Sequence, residues 1–533
     1  MSESVNSGAH PRVHPTLRST NLLYLLVMVL VIVVGSVMQT LDFGWGLIGT
    51  QVLLFMLPAW LFVRARGLPP RETMRLRGLP FGLALLSIGI GASIWFFAVS
   101  LEGVMSLLFG YTVMGSPDMY PTTTGQAVLL FVALAIAAPL GEELLFRGVI
   151  QRGYERLGPR RAVILAGLLF AFFHLRLSGL VALLPISLAL GYVVWRSNSL
   201  LAGILMHAAN NTLAALFLIL YSFRPELLEG DAAVMLPLAA LGGLLALLGL
   251  WLFRRLTQPE ALAVQPESRS FLGRFWPLAA ALLLYLVMGG VEFIVGRHPG
   301  VLAMGQPVSF DAPPWETSTT WRYELRNVVD DPVGEAECTV TPGQEQVTLT
   351  CQARQEAFEI EVEGSFWSSD DAEWLTTSVW MADSLLLLNA QGIRESEILA
   401  FSYRVETADE DLRLTGEVQG ASDELIIPPL ALAGYEWPWR LAGLPFSLGY
   451  SRDVTVAWPL RWRPETQDSG PYAEETALVV RGGTPIHTPW GSAIAWMVTV
   501  GEQTAWYHAD APHHLLRYDD GFHTWLLVEV VEE

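Results

Sequence analysis

Residues 129–148 read Leu129-Leu-Phe-Val-Ala-Leu-Ala-Ile-Ala-Ala-Pro-Leu-Gly141-Glu142-Glu143-Leu-Leu-Phe-Arg147-Gly148: an uncharged apolar run that ends in two adjacent carboxylates and an arginine. An ionisable side chain in or beside a hydrocarbon span is costly unless paired or wetted, so each one is a candidate functional group. The run is one of several in a chain of 533 residues that is 52% hydrophobic and 16% charged. Such a chain is too long for one compact domain and too apolar to be soluble throughout.

Working outward, the first apolar run, Asn21–Met38, follows a polar start bearing Arg12 and Arg18 and reads as an uncleaved signal anchor. Further runs centred near residues 53, 90, 134, 168, 187, 211, 243 and 285 bring the expectation to about nine spans. Arginines fall in the connections 64–77, 147–161, 196 and 254–274, whereas 110–126 and 222–234 are poor in them. By the positive-inside rule the arginine-bearing loops and the N-terminus are cytoplasmic, and an odd span count places the C-terminal part outside the cell membrane.

The charge balance divides the chain. Residues 1–296 hold 19 Arg against 14 Asp+Glu, and residues 297–533 hold 13 Arg against 38, with no lysine in either part. From 297 onward the pattern alternates with period two, as in 358–366, 411–418 and 524–531, broken by Gly and Pro turns. The expected fold is therefore an α-helical polytopic membrane bundle over 1–296, followed by an acidic, antiparallel β-rich soluble domain over 297–533. The acidity argues against nucleic acid as a partner, because phosphate backbones need concentrated positive charge. Cys338 and Cys351 flank a Pro-Gly turn between two short strands, where a cross-hairpin disulfide and two reduced core thiols are both open readings. The tryptophans of this half read as core packing, and His508, His513, His514 and His523 with Asp510 have no spacing characteristic of a metal site.

Three clusters carry chemistry within the membrane part: Glu142-Glu143-x-x-x-Arg147, Phe170-x-x-x-His174, and His207-x-x-x-Asn211. Helix geometry separates the two glutamates. Glu143 and Arg147 are four residues apart and share a face, which favours an ion pair, while Glu142 is rotated by about 100° and is free to act as a base. His207 and Asn211 likewise project side by side. Together these groups supply a base, imidazoles and oxyanion donors without a nucleophilic Ser or Cys. The same groups could instead ligate zinc or another divalent metal through Glu142, His174 and His207, although the spacing differs from the helical His-Glu-x-x-His signature. With the spans taken from hydropathy, Glu142 sits at the cytoplasmic end of the fourth, and His174 lies deeper than His207, about 18 against about 10 Å.

In this order the three motifs resemble the CAAX-protease and bacteriocin-processing family of intramembrane proteases, the type II CAAX prenyl endopeptidases among them, over about residues 120–225. The resemblance implies a membrane-embedded endopeptidase. Glu142 and His174 would activate water, His207 and Asn211 would stabilise the transition state, and Glu143 and Arg147 would be structural. It leaves the metal open, as none or a divalent ion, and implies as partners a protein or peptide presented at the lipid bilayer. It does not extend to the β-rich half, whose partner is not legible. The competing readings are a proteolytically silent scaffold or immunity protein that retains the motif, and a proton-coupled transporter. The latter is disfavoured by the lack of an internal hydropathy repeat.

Overall fold

The computed structural model describes residues 14–109, 115–227, 232–259, 271–297, 308–310, 313–362, 365–397, 400–435, 437–463 and 468–533. Parts of the connections 110–126, 222–234 and 254–274, and the beginning of the β-rich half, lie outside them. The chain divides into two units. One comprises Met1–Thr112, Pro121–Tyr221 and Leu227–Arg297; the other comprises His298–Glu533 together with the short segments Val113–Tyr120 and Ser222–Glu226.

The first unit is built from α1 (Leu17–Leu41), α2 (Phe43–Ala65), α3 (Phe81–Phe109), α4 (Thr124–Leu157), α5 (Pro159–Phe173), α6 (Leu180–Ser197), α7 (Leu200–Phe223), α8 (Ala232–Leu256) and α9 (Phe271–Arg297). Among the described residues, eight of these are long and apolar enough to cross a membrane. The run centred near 168, expected as a full span, is the exception. It forms the 15-residue α5, about 22 Å long against a hydrocarbon core of about 30 Å. Its helix stops where Leu175 takes a φ of 55°, which an α-helix cannot continue.

Small residues set the helix spacing. A Cβ on Gly91 of α3 would meet the Met206 carbonyl of α7 at 2.0 Å, and one on Gly242 of α8 would meet the Ser93 carbonyl at 2.7 Å. Close backbone approach of this kind is how bundles pack where lipid supplies no hydrophobic drive. The outward side chains are apolar, with Leu244, Leu247 and Leu283 all more than 60% exposed, as a lipid-facing surface requires.

The second unit is a 15-stranded sheet with an added two-stranded ribbon. In chain order its strands are β1 (Thr319–Arg326), β2 (Pro332–Pro342), β3 (Gln346–Gln355), β4 (Phe358–Val362), β5 (Ser365–Ser369), β6 (Ala372–Met381), β7 (Leu387–Ser396), β8 (Phe401–Ala408), β9 (Asp411–Val418) and β10 (Ala421–Ile427). There follow β11 (Leu432–Ala433), β12 (Ser451–Arg463), β13 (Asp468–Thr488), β14 (Gly491–Val500), β15 (Gln503–His508), β16 (Leu515–Asp519) and β17 (Thr524–Glu532). The spatial order is β10-β9-β8-β7-β6-β3-β2-β1-β17-β16-β15-β14-β13-β12-β11, so the first and last strands are neighbours at the centre. Pairing is antiparallel except between β11 and β12.

The alternating stretches at 411–418 and 524–531 form β9 and β17. The stretch 358–366 is instead divided between the two strands of the β4–β5 ribbon. Cys338 and Cys351 are direct partners across β2 and β3 and form a disulfide. Trp321, Trp380, Trp437 and Trp439 are buried, and their bulk fills the core.

Candidate active site

Gly158 turns the chain from α4 into α5 with a φ of +97°, a conformation that glycine adopts without steric cost. Glu142 precedes this turn by 16 residues and His174 follows it by 16. At 1.5 Å per residue both stand about 24 Å from the turn, which sets the two clusters level. Two expectations are corrected here. Glu142 is not at a helix end, because α4 continues to Leu157, and His174 caps α5 rather than lying within a longer span.

The helix persists past the motif because its charges neutralise one another inside the protein. Arg147 Nη1 bonds Glu143 Oε1 at 2.9 Å, and Arg152 Nη1 bonds Glu155 Oε2 at 2.9 Å. Glu155 also pairs with Arg75 from the connection between α2 and α3. Wider turns over Val132–Ala137 and Phe146–Ile150 bracket the Glu-Glu pair. Such turns loosen the backbone ladder and recur at functional sites.

Each carboxylate has its own partners. Glu143, fully buried, accepts from Arg147 and meets His207 Nδ1 at 3.0 Å, while Arg147 also donates to the Ser187 carbonyl at 3.1 Å. With Glu143 accepting, His207 carries its hydrogen on Nδ1 and turns Nε2 toward Glu142, 3.9 Å from Oε2. Glu142 keeps 13% of its side chain exposed and accepts from Gln51 Nε2 of α2 at 3.1 Å.

His174 lies within electrostatic reach of both Glu142 and His207. Its Nδ1 bonds the Phe170 carbonyl at 3.0 Å. The Phe170 ring stands edge-on to both imidazoles, at 5.0 and 5.8 Å between centroids, and Arg147 lies over it at 4.3 Å. Asn211 donates to the Leu134 carbonyl in the first wide turn at 3.0 Å, leaving one amide hydrogen, and its Oδ1 accepts from Asn210 at 3.1 Å. Two helices, α4 and α7, and the end of α5 thus bring the expected groups together.

Residues 124–213 match the family model of Rce1-like type II CAAX prenyl endopeptidases. Glu142, His174, His207 and Asn211 all lie in this Rce1-like segment, which excludes the β-rich unit. No curated protein and no solved structure matches the chain significantly.

Several contributors to the site escape the motif reading. Gln51 is a polar side chain within an apolar run, the same signal that marks Glu142, and Gly141 makes room for it. Gly203 is required beside Glu143, where a Cβ would come within 2.7 Å of Oε2. The segment after His174 is held by two acids from other spans: Glu102 pairs with Arg176 at 2.7 Å, and Glu292 accepts from the Ser178 hydroxyl and from the Leu177 amide at 3.2 Å.

Glu142, His174 and His207 do not fit a shared metal as they are arranged. No group of three or more His, Cys, Asp or Glu among the described residues is placed to hold an ion.

Proposed function

We propose that this membrane protein is an intramembrane endopeptidase that hydrolyses a peptide bond of a membrane-presented protein or peptide with water activated by Glu142. The observation that carries this reading is the meeting of Glu142, His207 and His174 from three separate motifs. Glu142 takes a proton from water as the oxygen attacks the scissile carbonyl carbon, and the C=O electron pair moves onto its oxygen. The remaining N–H of Asn211 stabilises that oxyanion, together with His207 in its imidazolium form, whose second N–H, on Nε2, is free to donate. Collapse of the tetrahedral intermediate re-forms the carbonyl and breaks the C–N bond. The proton held by Glu142 passes to the leaving amine, and His174 assists in orienting the water.

We also place the protein in the cell membrane with a cytoplasmic N-terminus and an extracytoplasmic β-unit. In support, Val113–Tyr120 carries no arginine, and an intramolecular disulfide suits an oxidising compartment.

The test uses purified full-length protein in liposomes, incubated with peptides from solubilised bacterial membranes, followed by labelling of new N-termini. Glu142→Gln is expected to lower cleavage by at least about 100-fold, whereas Glu143→Gln chiefly lowers folded yield. Cleavage by folded Glu142→Gln at the wild-type rate would overturn the assignment.

A further inference from the structure

The sheet of the β-unit curls until its wings meet. Strands β8, β9 and β10 lie against β12 and β13 without a hydrogen-bonded ladder between them. At this seam a Cβ on Gly416 of β9 would come within 2.7 Å of the Pro459 carbonyl and 3.1 Å of Pro471 Cγ. Proline cannot donate to a ladder, and glycine gives the packing its close approach.

The curl encloses a cavity of about 870 Å³ that residues of both wings line, a volume typical of small-molecule sites. Alternate residues of β3 (Cys351, Ala353, Gln355) face it, as the strand period requires. Trp374, Trp439, Trp458 and Trp525 form much of the rest of the wall, and the exposed Phe522 and Glu502 stand at its mouth.

The polar content of the wall is selective. Arg394 is bonded to Asp370 at 3.0 Å and Arg461 to Glu474 at 3.4 Å, so the cations lining the cavity are already neutralised. Gln355 differs. It is 1% exposed, yet both its amide oxygen and its amide nitrogen are without a partner, and His523 Nε2 is unpaired beside the same cavity. A buried carboxamide that has lost water and gained nothing is unfavourable until a ligand supplies both a donor and an acceptor. An anion would find no free counter-charge; of the lining carboxylates, Glu474 pairs with Arg461, Asp520 accepts from the Phe522 and His523 amides, and Glu502 stands exposed at the mouth.

We propose that this lumen binds a neutral, mainly apolar small molecule whose single amide-type group, an N–H beside a C=O, docks on the side chain of Gln355. Its acyl or aromatic body lies against the tryptophans. The site is independent of the peptidase chemistry, and no catalytic group is drawn from it.

The experiment is photoaffinity labelling of the full-length protein in lipid nanodiscs. The probe is 4-benzoyl-N-hexylbenzamide, compared with its ester counterpart, hexyl 4-benzoylbenzoate, which lacks the N–H. Cross-links are mapped by peptide mass spectrometry. The expected result is saturable labelling of the lumen strands, with the amide preferred over the ester by about tenfold.

Gln355→Leu keeps the side-chain volume and removes the unpaired amide, so it is expected to fold and to lose the preference. Thr376→Phe fills the lumen and is expected to abolish labelling by both probes. Displacement by an N-dodecanoyl amide identifies an acyl source, and displacement by an N-acetylated apolar dipeptide amide identifies a peptide source. Absence of saturable labelling in the lumen, equal labelling by the ester, displacement by neither competitor, or a preference unchanged in folded Gln355→Leu would each overturn the proposal.

Discussion

His514 ties the stability of the β-unit to pH. Its Nδ1 accepts the indole N–H of Trp321 at 3.1 Å, and Trp321 is 1% exposed. Protonation would set an N–H against an N–H. Burial, reinforced by His508 and His513, lowers its pKa from 6.5 to about 4, while Glu532, 56% exposed at 3.7 Å, offers only a weak counter-charge. The unfolded chain therefore takes up this proton first as pH falls. The stability gained from a neutral His514 is complete above pH 6.5 and is lost progressively down to about pH 4. Between pH 8 and pH 5 the two pKa values give a loss of about 2 kcal/mol. Solvent at the 11% exposed part of the side chain brings this to between about 1 and 2 kcal/mol. In a unit of this size the loss corresponds to about 2 to 8 °C in the tryptophan-fluorescence melt of the full-length protein. His514→Gln, which can still accept from Trp321 but does not titrate, removes that part of the slope. An identical pH slope in His514→Gln would refute the reasoning.

Arg147→Met strands the buried Glu143 carboxylate and is expected to cost about 3–5 kcal/mol, while Glu143→Leu combined with Arg147→Met recovers most of it; denaturant titration of the purified variants measures the coupling. Gly141→Ala puts a Cβ 2.5 Å from Gln51 Oε1 and 3.1 Å from its backbone carbonyl, which forces α2 from α4. It is expected to cost about 1–3 kcal/mol and to reduce turnover, whereas Gly148→Ala, with Met74 at an ordinary 3.5 Å, serves as the tolerated control. Glu292→Gln loosens the segment after His174 and is expected to lower kcat by about 10- to 100-fold, with faster hydrogen exchange at residues 175–179 as the independent readout.

The membrane architecture was legible because burial in lipid needs long uncharged runs, and hydropathy records them directly. The pairing of Glu143 with Arg147 was legible for a similar reason, since a spacing of four fixes a shared helix face whatever surrounds it. The continuation of α4 through Arg147, Arg152 and Glu155 was not. In sequence these charges look like a solvated loop, and only the distant Arg75 and the helical spacing of Arg152 and Glu155 make them burial-competent. The wide turns leave no residue signature, and Gln51 acquires meaning only once Gly141 brings α2 against Glu142. In the β-unit, alternation predicted which side chains share a face. It could not predict which strands become neighbours, so the closing of the sheet at Gly416 and the enclosed lumen had no trace in local pattern.

The placement of β17 has a consequence for biosynthesis. It is the last strand of this sheet in chain order, yet it sits between β1 and β16 near the middle of the sheet. The two wings can form from local hairpins as the chain emerges, but they stay separate until β17 is released. A product that ends before Thr524 would carry nearly all of the sheet and still present two raw inner edges, on β1 and β16, where the intact protein has none. Such edges recruit other strands, so the presence of β17 separates a closed domain from an aggregation-prone one, and selection against termination between β16 and the end of β17 should be strong.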